Sequence, residues 1–216
     1  MDAVTRAAEA RQPAGPDPRW RESHRVDAWS AEGLGVSWVL TAHPGPGRAG
    51  LSAVVLQAGE PAITLVEHDV PLPARGWELR SSGLWIDAIC ETPLVHWSYG
   101  LEAFALVVDD PRELTGRGLG HRLALGWELD FEAEGPAVAE GPTAYLQDGR
   151  LHGLLLVGSE RREVDLAAVR RHWWGTHEPP VFDGPVGPDA VALPEPDRCW
   201  EVELLPGGLA VALRRG

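Results

Sequence analysis

The 216-residue chain contains no lysine and no asparagine. Without lysine there is no amine for Schiff-base chemistry. Cysteine is scarce: Cys90 and Cys199 are the only two. They make no CxxC and no zinc pattern, and they allow at most one disulfide. No apolar run approaches the roughly 18 residues that a membrane span needs, so none is expected. The opening stretch MDAVTRAAEARQPAGPDP lacks the apolar core of a secretory leader, and a cytoplasmic location is the expectation. Positive charge is also short. The net charge of -13 repels phosphate backbones and anionic membrane surfaces, which argues against a nucleic-acid partner. Nucleotide motifs are missing too: no GxGxxG follows a strand-like run and there is no P-loop. No GxSxG is present, and Ser98 in HWSYG lacks the nucleophile elbow. Of the eight histidines only His172 and His177 lie close together, with no HExxH and no His-x-His pair. Neither a cofactor nor a metal is therefore expected.

What is present is an ordinary globular composition, 44% hydrophobic and 24% charged. A chain of this length favours one domain and buries about two-thirds to three-quarters of its unfolded surface without staples. Residues 1–18 are rich in Ala, Pro and Arg without an apolar stripe and read as a mobile tail. Residues 19–216 read as a single β-domain with a Pro-rich loop near 178–197. Short apolar runs cut by Gly, Pro and Asp predict strands over 34–42, 50–58, 62–68, 76–81, 84–90, 95–98, 101–109, 121–132, 143–147, 150–158, 161–168, 170–175, 198–204 and 208–214. SSG at 81–83, QDG at 147–149 and LPGG at 205–208 supply turns. The only helical competitor is 111–117, and GRGLG at 116–120 reads as a loop. Many short strands with regular turns predict an all-β, antiparallel barrel or strongly curved sandwich. In RLALGWELDFE, Leu123, Leu125, Trp127, Leu129 and Phe131 share one face, and Arg122, Glu128, Asp130 and Glu132 the other. That alternation is a half-buried strand with a solvated acidic face.

Three runs set a polar residue among apolar ones. Glu102 points with Phe104, Leu106 and Val108; His152 points with Leu154 and Leu156; His172 shares a face with Trp174, leaving Trp173 on the other. A carboxyl in apolar surroundings has a raised pKa and can act as an acid, with histidine as its partner. If these runs line one barrel, Glu102, His152 and His172 meet. Each also has a plainer reading: Glu102 pairs with an arginine or reaches water, His152 sits beside the DGR turn, and the tryptophans fill a core.

The blocks GLWIDAICETPLVHWSYGLEAFALVVDDP (83–111), LGHRLALGWELDFEAEG (119–135) and LHGLLLVGSERREVDLAAVRRHWWG (151–175) resemble, in that order, the hydroxyneurosporene synthase (carotenoid hydratase)-like proteins. These belong to a wider lipocalin-like, or calycin, group that includes Diels–Alder cyclases. The resemblance covers roughly residues 30–178 and implies a lipocalin-like barrel. Arg170, His172, Trp174 and Gly175 fit the family's Arg-Asp-His-Ser-Trp-Gly stretch. Arg171 replaces its Asp, Trp173 its Ser, and His177 and Glu178 the following Arg and Asp. Cys199 and Glu201 stand loosely where the hydratases carry a downstream Tyr and Asp. About forty residues follow the motif, so the chain reads as a shortened member, monomeric or homodimeric.

By resemblance, the chain is expected to be a cofactor-independent enzyme that hydrates, cyclises or isomerises an apolar terpenoid or polyketide. His172, Glu102 and Trp174 are the catalytic candidates. Trp97, Tyr99, Trp127, His152, Trp173 and His177 are the substrate-binding candidates. Indole faces would stabilise a developing cation. The alternatives are a non-catalytic lipocalin-like carrier of a lipid or pigment, and a purely structural role for the tryptophans.

Overall fold

The computed structural model describes residues 3–108, 120–177, 190–195, 198–205 and 208–215. It is all-β and antiparallel; among the described residues the only helical turn is a 3-10 turn at Arg6–Glu9. No helix among them is long and apolar enough to cross a membrane. The strands are β1 (Arg21–Trp29), β2 (Leu34–His43), β3 (Arg48–Gln57), β4 (Ala62–Pro71), β5 (Leu79–Ser81), β6 (Leu84–Thr92), β7 (His96–Val108), β8 (His121–Ala133), β9 (Val138–Ala139), β10 (Ala144–Val157), β11 (Glu160–Gly175), β12 (Val191–Glu195), β13 (Arg198–Leu205) and β14 (Gly208–Arg215).

An eleven-stranded sheet runs in the order β4-β3-β2-β1-β11-β10-β8-β7-β6-β5, with β9 on β10. Strand β4 also pairs with β7, through Ala62–Val108, Ile63–Val107 and Thr64–Leu106. That pairing closes β1–β4, β7, β8, β10 and β11 into a ring of hydrogen bonds. The result is barrel-like, consistent with the lipocalin-like expectation. Closure removes the exposed edges that an open sheet would present.

Side chains alternate in and out of the ring. Trp38, Leu51, Ala53, Leu101, Leu125, Trp127, Leu129, Leu151 and Leu166 point inward and form one core. The predicted alternation of β8 holds, with Leu125, Trp127, Leu129 and Phe131 at 3% exposure or less. Several predicted runs merge: 95–98 with 101–109, 143–147 with 150–158, and 161–168 with 170–175. The QDG turn is therefore the interior of β10. Its Gly149 is needed there, since a Cβ would lie 2.3 Å from the Glu132 carbonyl and 2.5 Å from the Phe131 ring. The helical competitor at 111–117 and most of GRGLG lie outside the described residues.

Three strands escaped the apolar pattern: β1, the two-residue β9 and β12. Strand β1, RESHRVDAW, is polar on both faces, yet Arg21 to Ala28 are all buried. Its even residues face the ring interior. Its odd residues face outward against the three-stranded sheet β12-β13-β14. Strand β12 forms inside the expected Pro-rich loop and pairs with β13.

The small sheet covers the outside of β1–β3. Val39, Val54, Leu56, Trp173, Trp200, Val202 and Val211 form a second core there. Beneath it, Asp27 accepts from Arg25 Nη2 (2.8 Å), Ser37 Oγ (2.7 Å) and Arg171 Nη1 (3.0 Å). The Arg25 guanidinium lies 4.5 Å from the Trp200 ring centre. The segment expected to be a mobile tail is tied in: Glu9 is 3% exposed and enters one end of the ring.

Candidate functional site

The two ends of the ring differ in chemistry. One end is built from the start of β1, the end of β11, the start of β10 and the start of β7, and the N-terminal segment plugs it. Glu9 receives Arg170 Nη2 at 2.7 Å and Arg170 Nη1 at 3.1 Å. It also accepts from Tyr145 Oη (2.9 Å) and from Trp97 Nε1. Arg170 Nη2 donates further to Gln147 Oε1 at 2.9 Å. The guanidinium sits 5.2 Å from the Trp97 ring centre and 5.5 Å from that of Phe131. Burial alone would raise the Glu9 pKa. The Arg170 charge and three donors outweigh it and hold the carboxyl below its ordinary value. Burial and the nearby Glu9 carboxylate push the Cys90 thiol up to about 11.

Beside this ion pair stand Glu22, His24 and His172, all at most 1% exposed. Antiparallel register sets His24 opposite His172 across β1 and β11, and the two imidazoles stack at 3.8 Å. His172 Nε2 lies 2.9 Å from Glu22 Oε1. A carboxylate only accepts, so the ring donates from that nitrogen. Gln12 N donates to both Glu22 oxygens, at 3.0 and 3.1 Å. Arg11 Nε stands 3.9 Å from Glu22 Oε2. His24 is kept neutral by burial and by the charges of His172, Arg170 and Arg11, its pKa well below the usual 6.5. Both ring nitrogens of His24, and Nδ1 of His172, are buried without a hydrogen-bond partner.

The opposite end is apolar. The start of β2, the ends of β3, β7 and β10, and the starts of β4, β8 and β11 surround a cavity of about 610 Å³. Leu34, Val55, Ile63, Leu123, Leu155 and Val157 line it, and Gln57, Glu60, Glu160 and Arg162 form a polar rim. Arg162 Nη1 donates to Gln57 Oε1 at 2.8 Å. Between the two ends lies an aromatic layer. Trp38 meets Trp127 at 5.0 Å and Tyr99 at 5.1 Å, and Tyr99 stacks on Trp97 at 6.1 Å.

The residues expected to form one acid–base site do not converge. Glu102 is exposed on the outside of β7. That strand is unbroken from His96, and its phase is set by Trp97, Tyr99 and Leu101, so Ala103 and Ala105 take the inward places. His152 is on the outside of β10, 3.8 Å from Glu132, on the acidic outer face. His172 alone of the three is inside. Trp174 shares its face as expected, with the rings 5.0 Å apart. Trp174 is half-buried and, with Tyr145 and the tail residues Val4, Thr5, Ala7 and Ala8, borders a second cleft of about 560 Å³. Trp173 lies outside the ring against Trp200, at 5.8 Å, and His177 is exposed. Trp97, Tyr99 and Trp127 are at most 3% exposed and fill the middle of the ring. Cys90 and Cys199 form no disulfide. Glu9, Glu22, His24 and Tyr145 were missed. Glu9 sits in an apparent tail, and Glu22 and His24 sit in a strand with no apolar face. The one usable signal was period two in ESHRVDA, which sets Glu22, His24, Val26 and Ala28 on one side.

A closed antiparallel ring of eight strands, with a polar plug at one end and an aliphatic cavity at the other, defines an all-β, barrel-like protein. The chain belongs to a family described as a domain of unknown function (DUF7064), matched over residues 5–182. The matched span takes in the plug and every strand of the ring, and ends before the small sheet. No curated protein and no solved structure matches the chain.

Proposed function

We propose that the chain is a lipocalin-like binding protein that carries one small apolar molecule, of the lipid or pigment kind, in the mouth of its strand ring. The observation that carries this reading is the cavity of about 610 Å³ lined by aliphatic side chains from six ring strands. That size falls in the range of about 300–1,000 Å³ typical of ligand sites. Aliphatic walls bind by removing apolar surface from water, about 25 cal/mol per Å². The polar rim suits a ligand with one polar end. The aromatic layer of Trp38, Tyr99 and Trp127 separates a ligand in the mouth from His172, which favours carriage over acid–base turnover at that histidine.

The test is titration of the tag-free chain with the neutral probe N-phenyl-1-naphthylamine, followed by probe fluorescence. One saturable site is expected. Leu123→Arg, which sets a charge in the mouth, should weaken binding about tenfold or more, equivalent to at least about 1.4 kcal/mol. Phe104→Ser, on the outer face where Phe104 is 60% exposed, should leave it unchanged. Equal binding by wild type and Leu123→Arg would overturn the assignment. An altered molecule recovered after incubation with apolar extracts, seen by mass spectrometry, would replace the carrier with the enzyme.

A further inference from the structure

The buried cluster at the plugged end is at the far side of the aromatic layer and is independent of the mouth. One ligand atom from each of Glu22, His24 and His172 lies within 4.8 Å of the other two. All three residues are at most 1% exposed. Both nitrogens of His24 and Nδ1 of His172 have no partner, which a folded interior rarely tolerates. Two imidazoles stacked at 3.8 Å beside a carboxylate leave ring nitrogens with nothing to bind. A cation would give them a partner. Two imidazoles and one carboxylate are a borderline donor set. It suits zinc and its first-row neighbours, whereas magnesium and calcium prefer oxygen ligands. The surrounding charge permits it: Arg170 is matched by Glu9 at 2.7 Å. Arg11 stands beside the site with its charge against the Glu22 carboxylate, Nε to Oε2 3.9 Å; its Nη1 donates to the Pro73 carbonyl at 2.8 Å, and its guanidinium rests 5.3 Å from the Trp77 ring centre.

We propose that Glu22, His24 and His172 form a binding site for one divalent first-row transition cation of the zinc type. Three protein ligands leave a coordination position for solvent, and the N-terminal segment 9–12 closes the site over the bound ion. Displacement of that segment is the entry route.

The test uses the tag-free full chain, stripped with a chelator and titrated with zinc, cobalt and magnesium by calorimetry. The expected result is one equivalent of zinc or cobalt bound, no magnesium bound, and a rise in Tm with zinc or cobalt but not with magnesium. His24→Gln and His172→Gln should each weaken zinc binding at least a hundredfold. His152→Gln and His177→Gln, outside the ring, should not change it. Should the buried variants fail to fold, zinc X-ray absorption on the wild type decides: a shell with two imidazoles supports the site. An all-oxygen or sulfur shell overturns it, as does the absence of stoichiometric zinc binding, or zinc binding that persists in His24→Gln. These outcomes are read on the metal alone and do not depend on whether the mouth binds an apolar probe.

Discussion

Glu9 and Arg170 show what a single buried pair does in this protein. Arg170 is fully buried, and a guanidinium cannot shed its charge, so its anionic partner is obligatory. Removing one member of such a pair typically costs about 3–5 kcal/mol, whereas replacing both with apolar groups of similar volume is often neutral. Glu9→Ala should therefore lower unfolding stability by about 3 kcal/mol in a urea titration, and Glu9→Leu with Arg170→Met should restore most of it. A Glu9→Ala chain as stable as wild type would show that the tail is not anchored there. The sequence carried little of this. Glu9 stands among alanines with no apolar stripe, and only the tertiary fold reveals what it meets. His172 and Trp174 were legible as neighbours on one strand face, because period two needs only local sequence. That Glu22 and His24 join them was not, because the pairing of β1 with β11 joins residues far apart in the chain.

At the scale of elements, the strand pattern was readable where one face is apolar and one is wet. Strand β8 is the clearest case. It failed for β1, where both faces are covered: the inner by the ring, the outer by the small sheet. Polar residues survive there because they are paired, as Asp27 is with Arg25, Ser37 and Arg171. On β7 the periodicity was right and the phase wrong, since small Ala103 and Ala105 face the crowded interior while Glu102 and Phe104 face out. The plug is the element with the clearest pH response. The folded Glu9 pKa lies below the ordinary 4.5, so the stability it supplies is present above 4.5 and lost as pH falls through the lower folded value. Limited proteolysis with pepsin across pH 5 to 2 should release the segment 3–18 before the ring is cut. Protection of that segment down to the pH of global unfolding would contradict the Glu9 anchor.

For the whole molecule, ring closure by β4 and β7 creates two ends of different chemistry: buried arginine, glutamate and histidine under a plug, and aliphatic walls with a polar rim around a mouth. The all-β antiparallel class, as barrel or curved sandwich, followed from turn spacing and alternation; the structure has the barrel-like form. The division of ends did not, because it depends on which strand termini closure brings together. The most direct measurement of the central claim is native mass spectrometry of the chain after exposure to a total lipid extract. The account predicts one apolar molecule per chain, retained by Phe104→Ser and lost from Leu123→Arg. A chain that carries no adduct, or carries it equally in Leu123→Arg, would contradict it.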